Sequence, residues 1–182
     1  MNVNLKDTNL KGIASKVTPI LFAAFLTLTL SSPTTFAKTP SGPAKDFTLK
    51  SNSGKNIRLS DLRGQVVMIN FWASWCGPCR QEMPLMDKLY QRYGSAGFQI
   101  LGVNVEADPK EADTLLKDIP VSFPILYDTT SKVSEAYKVS AMPTSVFVDC
   151  NGNLAYLHKG YKSGDEIEYK KIVKKLLRQC SK

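Results

Sequence analysis

The chain has 182 residues, 43% hydrophobic and 22% charged, a composition that fits one globular domain and excludes a low-complexity array. Lysine and arginine outnumber aspartate and glutamate by 24 to 16, a formal net charge of +8. The lysines are scattered with no aromatic stripe between them, so they read as a solvated basic surface open to acidic proteins or anionic membranes, and nothing points to nucleic acid.

The first segment has the grammar of an export signal. Lys6, Lys11 and Lys16 precede an uncharged apolar run from Val17 to Leu30, followed by Ser31-Ser32-Pro33 and the small-residue stretch ending at Ala37. The run is shorter than the roughly 17–25 residues that span a bilayer. Cleavage is predicted after Ala37, making residues 1–37 a signal peptide. The alternative is an uncleaved anchor, because Thr35 is a mediocre residue for the third position before the cut. No cysteine follows closely, which disfavours a lipid-modified cysteine. Cleavage removes three of the 24 basic and one of the 16 acidic residues, leaving 21 and 15 and a net charge of +6. The predicted location is therefore periplasmic, and in an oxidising compartment an even count of four cysteines suggests pairs. A mature chain of this size buries its own core, so at least one pair is free for another job.

Residues 38–45 are polar and rich in Pro and Gly, a flexible lead-in to a domain over 46–182. "DFTLKSNSGKNIRLSDLRG" predicts two short strands around Ser53-Gly54 and a tight turn at Gly64. "QVVMINFWA" is a continuous apolar run, the pattern of a fully buried strand. From Pro78 to Tyr93 apolar residues recur at spacings of three and four, a helix that Gly94 and Gly97 end. "FQILGVNVEA" predicts a second buried strand, Pro109 to Ile119 a helix opened by proline, "FPILYD" a third strand and Ser131 to Tyr137 a short helix. "TSVFVDCNGNLAYLHKGY" reads as a hairpin with Asn151-Gly152 as its two-residue turn. Gly164 to Gln179 closes the chain as a helix, with Ile167, Ile172, Val173, Leu176 and Leu177 expected to face inward. Strands alternating with helices predict an α/β fold with a parallel core, and the hairpin adds antiparallel strands at one side.

"FWASWCGPCRQEMP" carries the chemistry. A buried strand runs into Cys76 and a helix begins almost on top of it. Free N–H groups at a helix start stabilise a thiolate. Pro78 has no N–H to leave unpaired and pre-sets a helical φ. Cys79 lies one turn deeper, placed to attack a mixed disulfide formed at Cys76. This makes Cys76 the exposed nucleophile and Cys79 the resolving thiol. A zinc site would need a second pair of ligands, but Cys150 and Cys180 form no second knuckle and His158 is the single histidine. A purely structural bridge would close too short a loop to stabilise much.

"FWASWCGPC" resembles the active site of thioredoxin-fold proteins. Pro84 resembles that fold's helix-kinking proline, "AMPTSVFVD" the strand entry bearing its cis-proline, here Pro143, and Gly160 the glycine after the last strand. Together with the lead-in from Asp46, the chain is similar, over roughly Ala44 to Leu177, to exported thiol:disulfide oxidoreductases of the TlpA/ResA type. The resemblance implies a thioredoxin-like three-layer sandwich, with a mixed central sheet, helices on both faces and an N-terminal β-hairpin extension. It also implies that Pro143 sits beside Cys76, where a proline supplies no N–H to compete for the thiolate. The backbone at Met142 would then pair with an extended substrate, and Met142 would add a soft apolar contact. The other reading of Pro143 is an ordinary strand-edge proline. Trp75, Gly77 and Pro78 would complete the substrate rim, while Trp72 reads as core packing.

One position departs from the cytosolic thioredoxins, which carry a buried acid in the strand before the motif: here it is Asn70, which exchanges no protons. The resemblance implies a glutamate near the end of the next strand by the active site. Glu106 is the candidate to tune Cys79 by accepting and returning its proton, with Asp108 second. The alternative is a solvated carboxylate.

In this fold the last helix runs back toward the hairpin, which brings Cys150 and Cys180 within reach of a structural disulfide. Two free thiols or an intermolecular link through Cys180 are the rivals. His158 reads as a surface residue.

Gly77-Pro78 matches the reducing members of the fold. The implied function is a dithiol reductase of disulfides in exported proteins, supplied by a membrane electron donor of the DsbD/CcdA type, with no cofactor or metal. The family's substrates include apocytochrome c, and nothing in the sequence singles it out. The alternatives are a disulfide oxidase or isomerase, or a copper-handling binding protein using both cysteines as soft ligands. A monomer is expected.

Overall fold

The structure, a computed structural model, describes residues 41–181. The expected signal segment over residues 1–37 and its cut after Ala37 lie outside the described residues. The elements in chain order are β1 (Thr48–Lys50), β2 (Asn56–Arg58), a 3-10 turn over Leu59–Leu62, β3 (Val66–Trp72), α1 (Gly77–Tyr93), β4 (Phe98–Asn104), α2 (Lys110–Asp118), β5 (Ile125–Tyr127), α3 (Lys132–Ala136), β6 (Thr144–Val148), β7 (Leu154–Lys159) and α4 (Asp165–Cys180). β1 and β2 form the N-terminal hairpin, with Leu49 opposite Ile57. The other five strands make one mixed sheet in the order β5-β4-β3-β6-β7. β3 is parallel to β4, and β4 to β5; β6 is antiparallel to β3, and β7 to β6.

β3 is buried at every residue because both its faces are covered. Its side chains alternate between two cores. Val66, Met68 and Trp72 join Met83 and Met86 of α1, Leu115 of α2 and Val173 of α4 in one cluster. Val67, Ile69 and Phe71 join Leu59, Val133 of α3 and Ala44 in the other. Each fully buried Met or Phe contributes about 1.5–3 kcal/mol relative to exposure. Asn70 is the one polar residue of β3 and points to the α1 side.

Three details differ from the sequence reading. Gly42 to Ala44, expected in a flexible lead-in, are tied to the β6–β7 hairpin. The Ala44 N–H donates to the Gly152 carbonyl at 2.9 Å and the Leu154 N–H to the Gly42 carbonyl at 2.8 Å. The hairpin turn is longer than two residues. Asp149 and Asn153 close it, and Cys150-Asn151-Gly152 form the loop. The type I′ turn that an Asn-Gly pair favours would need positive φ at both Asn151 and Gly152; Gly152 alone has it, at +82°. A side chain there would also collide with Arg63, whose guanidinium carbon would lie 1.9 Å from the Cβ. Ile167, expected inside, is 58% exposed. The buried stripe of α4 runs Tyr169, Val173, Leu176, at helical spacings of four and three, and Ile167 falls outside it.

Candidate active site

β3 delivers the chain to Cys76 and α1 departs from it. Cys76 is the N-cap of α1, with Gly77 and Pro78 as the first two helical residues. Its Sγ accepts the Cys79 N–H at 3.2 Å, one of the N–H groups a helix start leaves without an intrahelical partner. Cys76 and Cys79 are joined in a disulfide with Cα atoms 5.3 Å apart. Cys76 keeps 4% of its surface exposed and Cys79 none, so substrate can reach the sulfur pair only from the Cys76 side.

That side opens into a groove of about 520 Å³, walled by Trp75, Cys76, Gly77 and Pro78 and, facing them, by Val139 to Met142 before β6. The Met142–Pro143 peptide is cis. The Pro143 carbonyl is taken by the Gly160 N–H at 2.7 Å, which anchors this segment to the end of β7. Trp75 is 70% exposed, a large apolar surface beside the reactive pair, whereas Trp72 is fully buried in the core.

Glu106 lies just past β4 and is fully engaged. Its carboxylate accepts the Ser74 N–H at 2.8 Å, the Ser74 hydroxyl at 2.6 Å and the Asn104 amide at 2.7 Å. It therefore clasps the loop two residues before Cys76. Asp108 is further out, with an exposed ion pair to Lys110 at 3.6 Å.

The acid beneath the motif is one the sequence reading missed. Glu82 lies three residues after Cys79, on the same buried face of α1, and is itself fully buried. Its Oε1 accepts the Tyr169 hydroxyl at 2.8 Å and, more weakly, the Ser145 hydroxyl at 3.4 Å; its Oε2 accepts the Asn70 amide at 2.9 Å. Burial pushes its carboxyl up to about 7, against the pull of these three hydrogen bonds. Asn70 thus does not replace a buried acid but donates to one brought in by the helix. A charged residue interrupting the stripe Cys79, Met83, Met86, together with a lone polar residue in an apolar strand, was the available signal.

Cys150 and Cys180 are bonded to each other, Cα atoms 5.9 Å apart, at the opposite end of the sheet. The Cys150 carbonyl accepts the Gly64 N–H just before β3 begins, while Cys76 follows its end. Among the described residues no three His, Cys, Asp or Glu side chains gather as a metal-ligand set, and no helix is long and apolar enough to cross a membrane.

Comparison with known proteins agrees with this geometry. The model of the AhpC/TSA family matches residues 40–157. The thiol-disulfide oxidoreductase ResA of Bacillus subtilis is 36% identical over 132 residues, covering 72% of this chain and 74% of its own. Among solved structures, a Chlorobium tepidum protein bearing the name thiol:disulfide interchange protein DsbE is 36% identical with a TM-score of 0.73, over 76% of this chain and 97% of its own. The exposed lipoprotein thioredoxin Etrx1 of Streptococcus pneumoniae is 33% identical with a TM-score of 0.61, over 72% of this chain and 100% of its own. The chain belongs to the AhpC/TSA family of thioredoxin-like proteins, among the relatives of the ResA thiol-disulfide oxidoreductases.

Proposed function

We propose that this thiol:disulfide oxidoreductase is exported and works as a dithiol reductase of protein disulfides. The observation that carries the reading is the Cys76–Cys79 pair at a helix start, open only at Cys76 and only into the groove between Trp75 and Met142. In the reduced form the Cys76 thiolate attacks one sulfur of a substrate disulfide. That bond breaks, one substrate thiolate leaves and takes a proton, and a mixed disulfide forms. Cys79 then gives its proton to Glu82 and attacks the Cys76 sulfur. The second substrate thiolate leaves, and the protein ends as the Cys76–Cys79 disulfide. Two electrons have passed to the substrate, and a dithiol on a membrane donor of the DsbD/CcdA type restores the reduced form.

Trp75 and Met142 supply the apolar walls for an extended substrate, and the free backbone at Met142 its pairing partner. Glu106 holds the Ser74 loop in place, and Glu82 takes the proton-exchange role that the sequence assigned to Glu106. Export is supported by the pattern of residues 1–37, and the pneumococcal relative bears the name of an exposed lipoprotein thioredoxin.

The test is the reduction potential of the Cys76–Cys79 couple, measured against glutathione or dithiothreitol. A value near thioredoxin's, about −270 mV, is expected; one near about −120 mV would make the protein a disulfide donor instead.

The Cys150–Cys180 bond takes no part in this cycle in our reading and serves stability, stapling the end of α4 to the hairpin. Cys150→Ala/Cys180→Ala is expected to lower unfolding free energy by about 3–4 kcal/mol, from the entropy of a loop of this length across a sequence separation of 30. Urea unfolding checks it; an unchanged midpoint refutes the structural role.

A further inference from the structure

Polar side chains form a row across one face of the sheet. Asn70 of β3 is opposite Ser145 of β6, and Ser145 is opposite His158 of β7. Residues opposite one another in a ladder project from the same face, here the face holding Glu82 and Tyr169. The Asn70 amide donates to Ser145 as well as to Glu82, both at 2.9 Å. At the outer end, the His158 ring stands edge-on to the Tyr169 ring, centroids 5.4 Å apart. Its Nε2 lies 2.9 Å from Oδ2 of Asp165, in the first turn of α4. The row runs from a fully buried carboxyl to a pair that water reaches, since the His158 and Asp165 side chains are 22% and 14% exposed.

His158 is the chain's only histidine, and the half-buried ion-pair geometry is not that of the surface residue expected from sequence. Imidazole is the side chain that changes charge between about pH 5 and 8. Its proton decides whether Asp165 stands as a bare negative charge or as half of a neutral pair. A bare Asp165 opposes ionisation of the buried Glu82, because like charges repel and Glu82 has little water around it to screen them. The other groups facing this region are Tyr169, Tyr161, Tyr156, the carboxylates Glu166 and Glu168 on the same turn of α4, and the exposed Lys162, whose backbone N–H also binds Asp165. Tyrosine and lysine ordinarily titrate well above this range and exposed carboxylates below it, so none of these changes charge between about pH 5 and 8 as the histidine does.

We propose that His158 and Asp165 are a proton-responsive tuning pair for Glu82. A proton on His158 masks Asp165 and eases ionisation of Glu82; loss of that proton unmasks Asp165 and holds the proton on Glu82. His158 touches no reacting sulfur and is a positioning residue. The inference rests on the reading of Glu82 as the proton acceptor for Cys79. Its consequence is a base that stays ionised further into acid, which widens the pH range of thiol exchange in a compartment that follows the medium.

The test is the rate of exchange between the reduced protein, carrying no histidine tag, and a small disulfide from pH 5 to 9. Wild type is compared with His158→Gln, Asp165→Asn and Glu82→Gln. His158→Gln should move the midpoint of the Glu82 limb up by about half a pH unit and Asp165→Asn should move it down by as much, about threefold in rate on its acid side. Opposite signs are what a merely structural role would not produce. Unmoved midpoints, or shifts of the same sign, overturn the proposal if Glu82→Gln abolishes the limb. A limb that survives Glu82→Gln instead overturns the Glu82 reading. Coupling is reciprocal, so the proton resonances of the single histidine must titrate at different pH in wild type and Glu82→Gln. Coincident His158 titrations refute the coupling without any change at His158 or Asp165.

Discussion

Replacing Cys79 with serine is expected to stop turnover after a single attack, cutting protein-disulfide reduction by at least about 10³-fold and leaving the chain covalently joined to its substrate. The asymmetry of the pair drives this. Cys76 has an exposed edge and Cys79 has none, so only Cys76 meets a folded substrate, and only Cys79 can release it. Cys76→Ser should lose as much activity yet form no adduct, because the remaining thiol is walled in. Non-reducing electrophoresis after mixing with a disulfide-bonded protein reads both outcomes. The second disulfide, at the far end of β3, contributes no free thiol to confuse the bands. An adduct formed by Cys76→Ser would reverse the roles of the two cysteines.

The fold was legible where residue pattern and burial agree. "QVVMINFWA" is apolar on both faces because both faces of β3 are covered, so its run gives a buried central strand without any partner being known. That strand ends at Trp72, next to the end of the apolar run, and α1 begins at Gly77-Pro78. Legibility failed where a residue serves tertiary contacts its own element does not announce. Ile167 is apolar but lies five and six residues before Ile172 and Val173, off the helical spacing of the stripe that Tyr169 sets, and a large aromatic decides which face of a helix turns inward. The Asn-Gly pair suggests a tight turn, yet the ladder closes one pair further out, at Asp149 and Asn153, and leaves Cys150 in the loop.

The candidate site divides in the same way. Cys76, Cys79, Trp75 and Met142 are local in sequence to a turn or a strand entry, and the groove brings them together. Glu82 is different, because a glutamate on a helix is solvated by default. What buries it is distant in sequence: Asn70 on β3, Ser145 on β6 and Tyr169 on α4 each supply a donor, and none of these pairings has a local signature. Glu106, by contrast, stands where a strand-end acid was expected, but Ser74 and Asn104 occupy its carboxylate.

Glu82→Gln is expected to make the protein more stable and less active, and the two effects share one cause. Glu82 has an ordinary value of 4.5 that burial raises to about 7 in the folded chain. A raised folded value means that the neutral form is favoured by folding. Its contribution is full below about pH 4.5 and is lost as pH rises through about 7. Over that window the carboxyl costs roughly 3 kcal/mol, at 1.36 kcal/mol per unit. Glutamine carries no charge to bury, so the stability difference between Glu82→Gln and wild type should grow by that amount between pH 4 and pH 8. The local hydrogen bonds can adjust: the Asn70 Oδ1 atom is buried without a partner, and a turned Asn70 amide would present it to the new glutamine N–H. The same substitution removes the proposed proton acceptor for Cys79. Resolution of the mixed disulfide should slow by about 10²-fold near neutral pH, the lower end for loss of a general base. Urea unfolding at the two pH values and single-turnover release of substrate from the mixed disulfide measure the two effects separately. A variant that gains stability but keeps the wild-type rate would leave Glu82 as a buried acid without a part in the exchange; one that gains no stability would mean that Glu82 is not held neutral by burial.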